Sequence, residues 1–217
     1  LLCFVFAWKL RENFHKVIRN SFSRPFGHLF KNCLFALPVI ASMTLVAVVT
    51  IYSFQKSGGV PTGEPPISGD SIVAFLELTI SPLIEEIGFR VTPMGTFLLF
   101  YLLMVGRKGR PLANFGVRLK FFFLAFLYPD KGKKILGLRT VDDSGIWKGI
   151  SLAEWILILV TSAVFGLAHS PNLYGGTWEI GKITLAFVQG LALGFTYLLY
   201  GVQAPILLHW FFNYYTY

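Results

Sequence analysis

The chain alternates long apolar stretches with short polar connections, and the stretches are too long for strands. Cys33 to Phe54 is the cleanest, 22 residues without a charge; about 20 apolar residues cross a bilayer core as a helix. Gln55 to Asp70 is polar, with Gly58-Gly59, Pro61 and Pro65-Pro66, and predicts an outer loop. Ile72 to Phe89 is the next apolar helix. It should end or kink at Pro93, because proline lacks the amide donor and its ring clashes with the preceding turn. Thr96 to Val105 is apolar but too short to span alone. Val117 to Tyr128 sets Phe121-Phe122-Phe123 among basic residues and predicts a segment lying in the interface plane. Lys133 to Gly149 changes character: a β-prone run from Ile135 to Val141, then Asp142-Asp143-Ser144-Gly145, then Ile146-Trp147, predicts a short β-hairpin. Leu152 to His169 and Ile180 to Tyr200 are further spans, the second with Gly190 and Gly194 four apart, a spacing that lets helices approach closely in lipid. Gly201 to Pro205 is a tight turn, and Ile206 to Tyr217 begins a last helix.

Composition sharpens this picture. Of 217 residues, 54% are hydrophobic and 14% charged, against about 25% charged in soluble domains. An ordinary soluble protein is excluded, and the expected fold is all-α: a polytopic transmembrane helical bundle, integral and multi-pass. It divides into residues 1–71, N-terminal membrane segments and loops, and residues 72–217, a membrane domain with a basic insertion at about 106–150. The net charge of +8 is concentrated in two stretches, Lys9 to Lys31 and Arg107 to Lys148, that flank apolar runs. Cytoplasmic loops have this bias, so membrane lipids are the expected partners and nucleic acid is not. Lys131, Lys133 and Lys134 are expected to dock on anionic headgroups. The two cysteines, Cys3 and Cys33, have no metal-type spacing and imply no disulfide framework. The apolar opening from Leu1 to Trp8 reads as the end of a truncated span rather than a signal peptide, since no positive region precedes it. The early stop after the last helix likewise suggests a fragment trimmed at one or both ends.

Within the apolar run from Ile72 stand two adjacent carboxylates, Glu85 and Glu86, followed by Arg90. A charge at bilayer depth costs about 2.5 to 3.5 kcal/mol on insertion scales and marks a functional site by default. Successive helix residues lie about 100° apart, so the two glutamates cannot face one pocket together. Glu86 and Arg90, at i and i+4, share a face in the favourable order, which leaves Glu85 facing the site as a candidate general base. A buried Glu–Arg pair alone would serve helix packing; the second glutamate fits that account poorly. Phe165 and His169 form another i, i+4 pair, and His209 and Asn213 a third. Taken singly, His169 could cap a helix end, and His209 with Asn213 could make an interhelical contact of about 0.6 to 2 kcal/mol. Their coincidence with a diglutamate helix points to a catalytic pocket within a membrane.

Glu85-Glu86-Ile87-Gly88-Phe89-Arg90 matches EExxxR, Phe165-Gly166-Leu167-Ala168-His169 matches FxxxH, and His209-Trp210-Phe211-Phe212-Asn213 matches HxxxN. In this order on separate apolar segments, the three motifs resemble the CPBP family, the CAAX-protease and bacteriocin-processing intramembrane proteases, over about Ile72 to Asn213. Pro82 and Phe89 also look like the family; Val91 stands where many relatives have Gly, and the stretch from Arg90 to Phe165 is longer than usual. The run from Gly132 to Asp142 also resembles the signature of the RDD family of membrane proteins. The CPBP resemblance implies an endopeptidase acting on a membrane-presented peptide or lipidated protein, such as a prenylated CAAX tail. It would sit in the plasma membrane if prokaryotic and the endoplasmic reticulum membrane if eukaryotic. It implies catalytic roles for Glu85, Glu86, His169, His209 and Asn213, with Arg90 and Phe165 supporting. Glu85 would activate the hydrolytic water, His169 would help to hold it, and His209 and Asn213 would stabilise the oxyanion. Metalloprotease labels in the family raise a Zn²⁺ site made of Glu85, His169 and His209; the family's metal-free, glutamate-dependent mechanism is the expectation adopted.

Two other functions compete: a non-catalytic immunity or scaffold protein of the same family, and a proton-coupled transporter relaying protons through Glu85 and the histidines. One difficulty is depth. If Ile72 and Leu152 start at opposite faces, Glu85 lies about 20 Å from one and His169 about 25 Å from the other at about 1.5 Å per residue. In a core of about 30 Å these levels do not coincide.

Overall fold

The computed structural model describes residues 31–63, 69–106, 114–171 and 178–216, with isolated positions before residue 31. The apolar opening stretch, and most of the first basic stretch, lie outside these residues. The described elements are α1 (Cys33–Ser57), α2 (Ser71–Glu86), a π-helical segment (Ile87–Gly95), α3 (Thr96–Gly106), α4 (Phe115–Leu127), α5 (Pro129–Ile135), α6 (Val141–Ser144), α7 (Ile146–Gly149), α8 (Leu152–Ala168), α9 (Ile180–Tyr200) and α10 (Gln203–Thr216). One isolated antiparallel bridge joins Gly63 to Trp178, and no strand occurs among the described residues. The fold is an all-α bundle. By length and composition α1 and α9 are able to cross a membrane, and α8 is a shorter apolar helix.

Helix α1 starts where the Asn32 side chain accepts the Leu34 N–H at 3.0 Å. Inside it, the hydroxyls of Ser42, Thr50 and Ser53 donate to the carbonyls four residues back, which satisfies them without water. One side of α1, with Ala36, Ala41, Thr44 and Val48 buried, packs on α9 and α10; Met43, Val46 and Phe54 face outward. Helix α2 starts at Asp70, whose carboxylate accepts the N–H groups of Ile72 and Val73 at 2.8 and 3.1 Å. A negative charge there also complements the helix dipole.

Several sequence expectations need correction. The carboxylate helix does not end at Pro93, although it departs from α geometry around it: the chain stays helical from Ser71 to Gly106, with a π segment in its middle. A regular α-turn would drive the Pro93 ring into the carbonyl four residues earlier; the wider π turn relieves that clash. The apolar run from Thr96 is the continuation of this helix, not a separate short piece.

The Phe-rich segment from Val117 is helical. As α4 it buries Phe121, Leu124, Ala125 and Leu127 against α3, α5 and the π segment, and leaves Leu119 and Phe122 outside. Apolar residues at three- and four-residue spacing gave it one continuous face to bury.

The hairpin predicted from Lys133 to Gly149 is absent; the segment holds the end of α5 and the two single-turn helices α6 and α7. Local side-chain bonds take the backbone groups that a ladder would need. The Asp130 carboxylate accepts the Val141 N–H at 2.8 Å, and Thr140 Oγ1 caps the Asp143 N–H at 3.1 Å. Burial raises the Asp130 pKa, while the Val141 N–H and the nearby Lys133 oppose the rise. Lys133 is not free to meet lipid headgroups. It is 5% exposed, and its ammonium donates to Glu154 Oε1 at 2.9 Å and to the Gly149 carbonyl at 2.5 Å. Glu154 Oε2 in turn accepts the Ser151 N–H at 2.7 Å, within the capping box that starts α8. Lys134 is exposed, and Lys131 lies over the Tyr128 ring.

Helices α8 and α9 form the centre of the bundle. Gly190 lies against Ser162 and Phe165, and Gly194 against Ile158, the close approach their spacing predicted. Gly166 completes the contact: a Cβ there would sit 2.8 Å from the Ile183 carbonyl oxygen. The Tyr197 hydroxyl donates to the Phe126 carbonyl and joins α9 to α4. Gly201, at φ +85°, ends α9 in a conformation that L residues avoid, and the next N–H, of Val202, donates to the Leu127 carbonyl at 2.9 Å.

Candidate active site

The last turn of α2 separates its two carboxylates as the 100° step requires. Glu86 is fully buried, whereas the Glu85 side chain is 27% exposed. One oxygen of Glu86, Oε1, takes two bonds: from Arg90 Nη1 at 3.1 Å and from His209 Nδ1 at 2.7 Å. Arg90 is itself fully buried. Its Nη2 reaches the Gly190 carbonyl at 3.4 Å, and its guanidinium lies 4.2 Å from the centre of the Phe165 ring. A buried arginine persists only with its charge and donors answered, and here a carboxylate, a carbonyl and an aromatic face share that task.

Phe165 is the hub of the arrangement. Besides Arg90, its ring meets Phe89 edge-on at 5.2 Å, His169 at 4.7 Å and His209 edge-on at 5.9 Å. His169 follows the last residue of α8, with Nδ1 2.8 Å from the Phe165 carbonyl oxygen. A carbonyl only accepts, so Nδ1 carries the hydrogen and Nε2 of the neutral ring keeps its lone pair for a ligand. On α10, the Nε2 of His209 stands 3.8 Å from Glu85 Oε2. One turn further along, Asn213 Nδ2 donates to Ser81 Oγ at 3.4 Å. Glu85 Oε2 has no protein hydrogen-bond partner.

Glu85, Glu86, Arg90, Phe165, His169, His209 and Asn213 are therefore all brought into one cluster, contributed by α2, the π segment, the end of α8, and α10. The levels of Glu85 and His169 do coincide in the bundle: both histidine rings meet Phe165, and the Nε2 of His209 reaches Glu85. Sequence reasoning missed three members. Ser81 lies one turn before Glu85, a spacing that places it on the same face. Lys182 is the only charge in α9, which the rule for ionisable residues in apolar spans would have singled out. Its ammonium lies 4.0 Å from the Trp178 ring centre, and Trp178 is 6.2 Å from His169. Trp178 itself carried no signal beyond its residue type.

A zinc site fits this arrangement poorly. Among the described residues no three His, Cys, Asp or Glu side chains are gathered to hold a metal ion, and that includes Glu85, His169 and His209.

Residues 68–215 match the family model described as type II CAAX prenyl endopeptidase Rce1-like. No curated protein and no solved structure matches the chain. The match takes in more than half of the chain and every residue of the cluster, and the chain belongs to the Rce1-like family of type II CAAX prenyl endopeptidases, membrane-embedded proteases as a family.

Proposed function

We propose that the chain is a multi-pass intramembrane endopeptidase that hydrolyses a peptide bond near the C-terminus of a lipidated, CAAX-type protein. The observation that carries this reading is the Glu85 carboxylate, on a partly exposed side chain, whose Oε2 is buried without a protein hydrogen-bond partner and faces His209 Nε2 across 3.8 Å. A water bonded to Glu85 and to the Nε2 lone pair of His169 attacks the scissile carbonyl. Its proton passes to Glu85 and from there to the leaving amine. The carbonyl oxygen becomes an oxyanion as the new C–O bond forms.

His209 and Asn213 are the donors for that oxyanion. With Nδ1 given to Glu86, His209 donates from Nε2 when its ring is doubly protonated, and the carboxylates on its two sides balance that charge. Asn213 donates through Nδ2. Glu86 acts as a positioning residue: it holds His209 and Arg90 and does not reach the substrate. The membrane is the plasma membrane of a prokaryote or the endoplasmic reticulum of a eukaryote, where both the enzyme and a lipidated substrate partition.

The test is cleavage of a quenched, prenylated CAAX peptide by the full chain in liposomes. Wild type cleaves, and Glu85→Gln, similar in shape but unable to take a proton, loses at least about 10²-fold in kcat, the lower end of general-base contributions. Equal rates for the two proteins would refute the role of Glu85, and full cellular function with Glu85→Gln would favour a non-catalytic role.

A further inference from the structure

Lys182 is not used by the chemistry above, yet its charge acts on both Glu85 and His169 across the site. It is half-buried near the start of an otherwise apolar helix. Among the described residues no carboxylate lies within ion-pair distance of it; its ammonium rests on the Trp178 indole instead. That ring is held in place by its backbone bridge to Gly63 and by the Glu179 N–H, which donates to the Thr62 carbonyl at 3.3 Å. A cation set on an aromatic face near the site, near the glutamate but not paired with it, has donors left for an anion that arrives from outside.

The geometry points to Lys182 as the residue that binds the free α-carboxylate of the substrate's C-terminus, with Trp178 as the wall of that subsite. This inference rests on the endopeptidase reading and adds a specificity residue to it. Distances support a short tail. Nζ lies 4.0 Å from the Trp178 centre, and Trp178 lies 6.2 Å from the His169 ring, so the ammonium is at most about 10 Å from that ring. An extended peptide advances about 3.3 to 3.6 Å per residue. Because that distance is an upper bound, an extended segment of no more than about three residues reaches from a scissile bond beside His169 to Lys182, and a longer extended tail would carry its carboxylate past the ammonium. A C-terminal amide would place a neutral group, itself a donor, against the ammonium.

The test begins with binding, which does not depend on turnover. A short aliphatic tripeptide, as the free acid and as its C-terminal amide, is titrated by calorimetry into the full chain in nanodiscs. Wild type should bind the acid about ten- to a hundredfold more tightly than the amide, the range for a hydrogen bond to a charged group. Lys182→Met, which suits an apolar helix, should bring the two within about twofold, and Lys182→Arg should keep most of the preference. Equal or undetectable binding of acid and amide by wild type, or a preference that survives Lys182→Met, overturns the inference. In the cleavage assay, Lys182→Met should raise KM for the free-acid peptide and leave kcat nearly unchanged; a fall in kcat alone would overturn it as well. Acid-selective binding without cleavage of either peptide would leave the carboxylate subsite standing and refute the protease reading.

Discussion

Glu86→Met is the most informative single perturbation. It removes the shared oxygen on which Arg90 and His209 both depend. Arg90, fully buried, keeps only a 3.4 Å contact to the Gly190 carbonyl and the Phe165 ring at 4.2 Å. Breaking one side of a buried pair destabilises by about 3 to 5 kcal/mol, largely because the remaining charge is stranded, whereas replacing both partners with apolar residues of similar volume is near neutral. Glu86→Met should therefore lose about 3 to 5 kcal/mol, and Glu86→Met with Arg90→Met should recover most of it, leaving about 1 to 2 kcal/mol. Reversible unfolding in mixed micelles, with denaturant titration of the four proteins of the cycle, measures this directly. Both variants should lack activity, because His209 has lost its orienting carboxylate. If the double variant loses the sum of the two singles, or Glu86→Met loses less than about 1 kcal/mol, the pair is not a coupled buried unit and the reasoning fails.

Other outcomes follow from the same packing. Gly166→Ala puts a Cβ 2.8 Å from the Ile183 carbonyl oxygen and should destabilise by about 1 to 3 kcal/mol. Gly88→Ala, with nothing within 4 Å, should shift stability in the same unfolding assay by less than about 1 kcal/mol. Lys133→Met strands the buried Glu154 carboxylate and should destabilise by about 3 to 5 kcal/mol, with recovery in Lys133→Met/Glu154→Met. Asn213→Ala should lower kcat about 10²- to 10³-fold with little change in KM, the signature of a lost oxyanion donor in steady-state cleavage kinetics. Extraction with a strong zinc chelator should leave cleavage intact; loss of activity that added zinc restores would overturn the metal-free reading.

The long apolar helices were legible because apolar length reports them directly: α1, α8 and α9 begin and end within a few residues of the limits read from sequence. The cluster was legible through periodicity. Glu86 with Arg90, Phe165 with His169, and His209 with Asn213 are each one turn apart, and the bundle only had to bring three helix faces together. The misreadings share a cause. At Pro93 and from Lys133 to Gly149, the deciding interactions lie between side chains and the nearby backbone. A clash relieved by a wider turn and backbone groups claimed by Asp130 and Thr140 leave no periodic trace. Lys182 belongs to no spaced motif; its only mark in the sequence is a lone charge in an otherwise apolar helix.

The π segment between Glu86 and Thr96 also bears on how this site tolerates sequence change. Each residue in a wide turn advances the helix by less than the usual 100°, so the segment sets the angular phase between the carboxylates before it and the helix after it. Deleting one residue there would let the backbone fall back towards regular α geometry, were Pro93 also replaced, and would rotate α3 relative to Glu85 without moving either end of the bundle. Single-codon insertions and deletions in residues 87–95 thus act as a rotational adjustment of the site. Variation in length at this position would be a more telling mark of altered activity among relatives than most substitutions elsewhere.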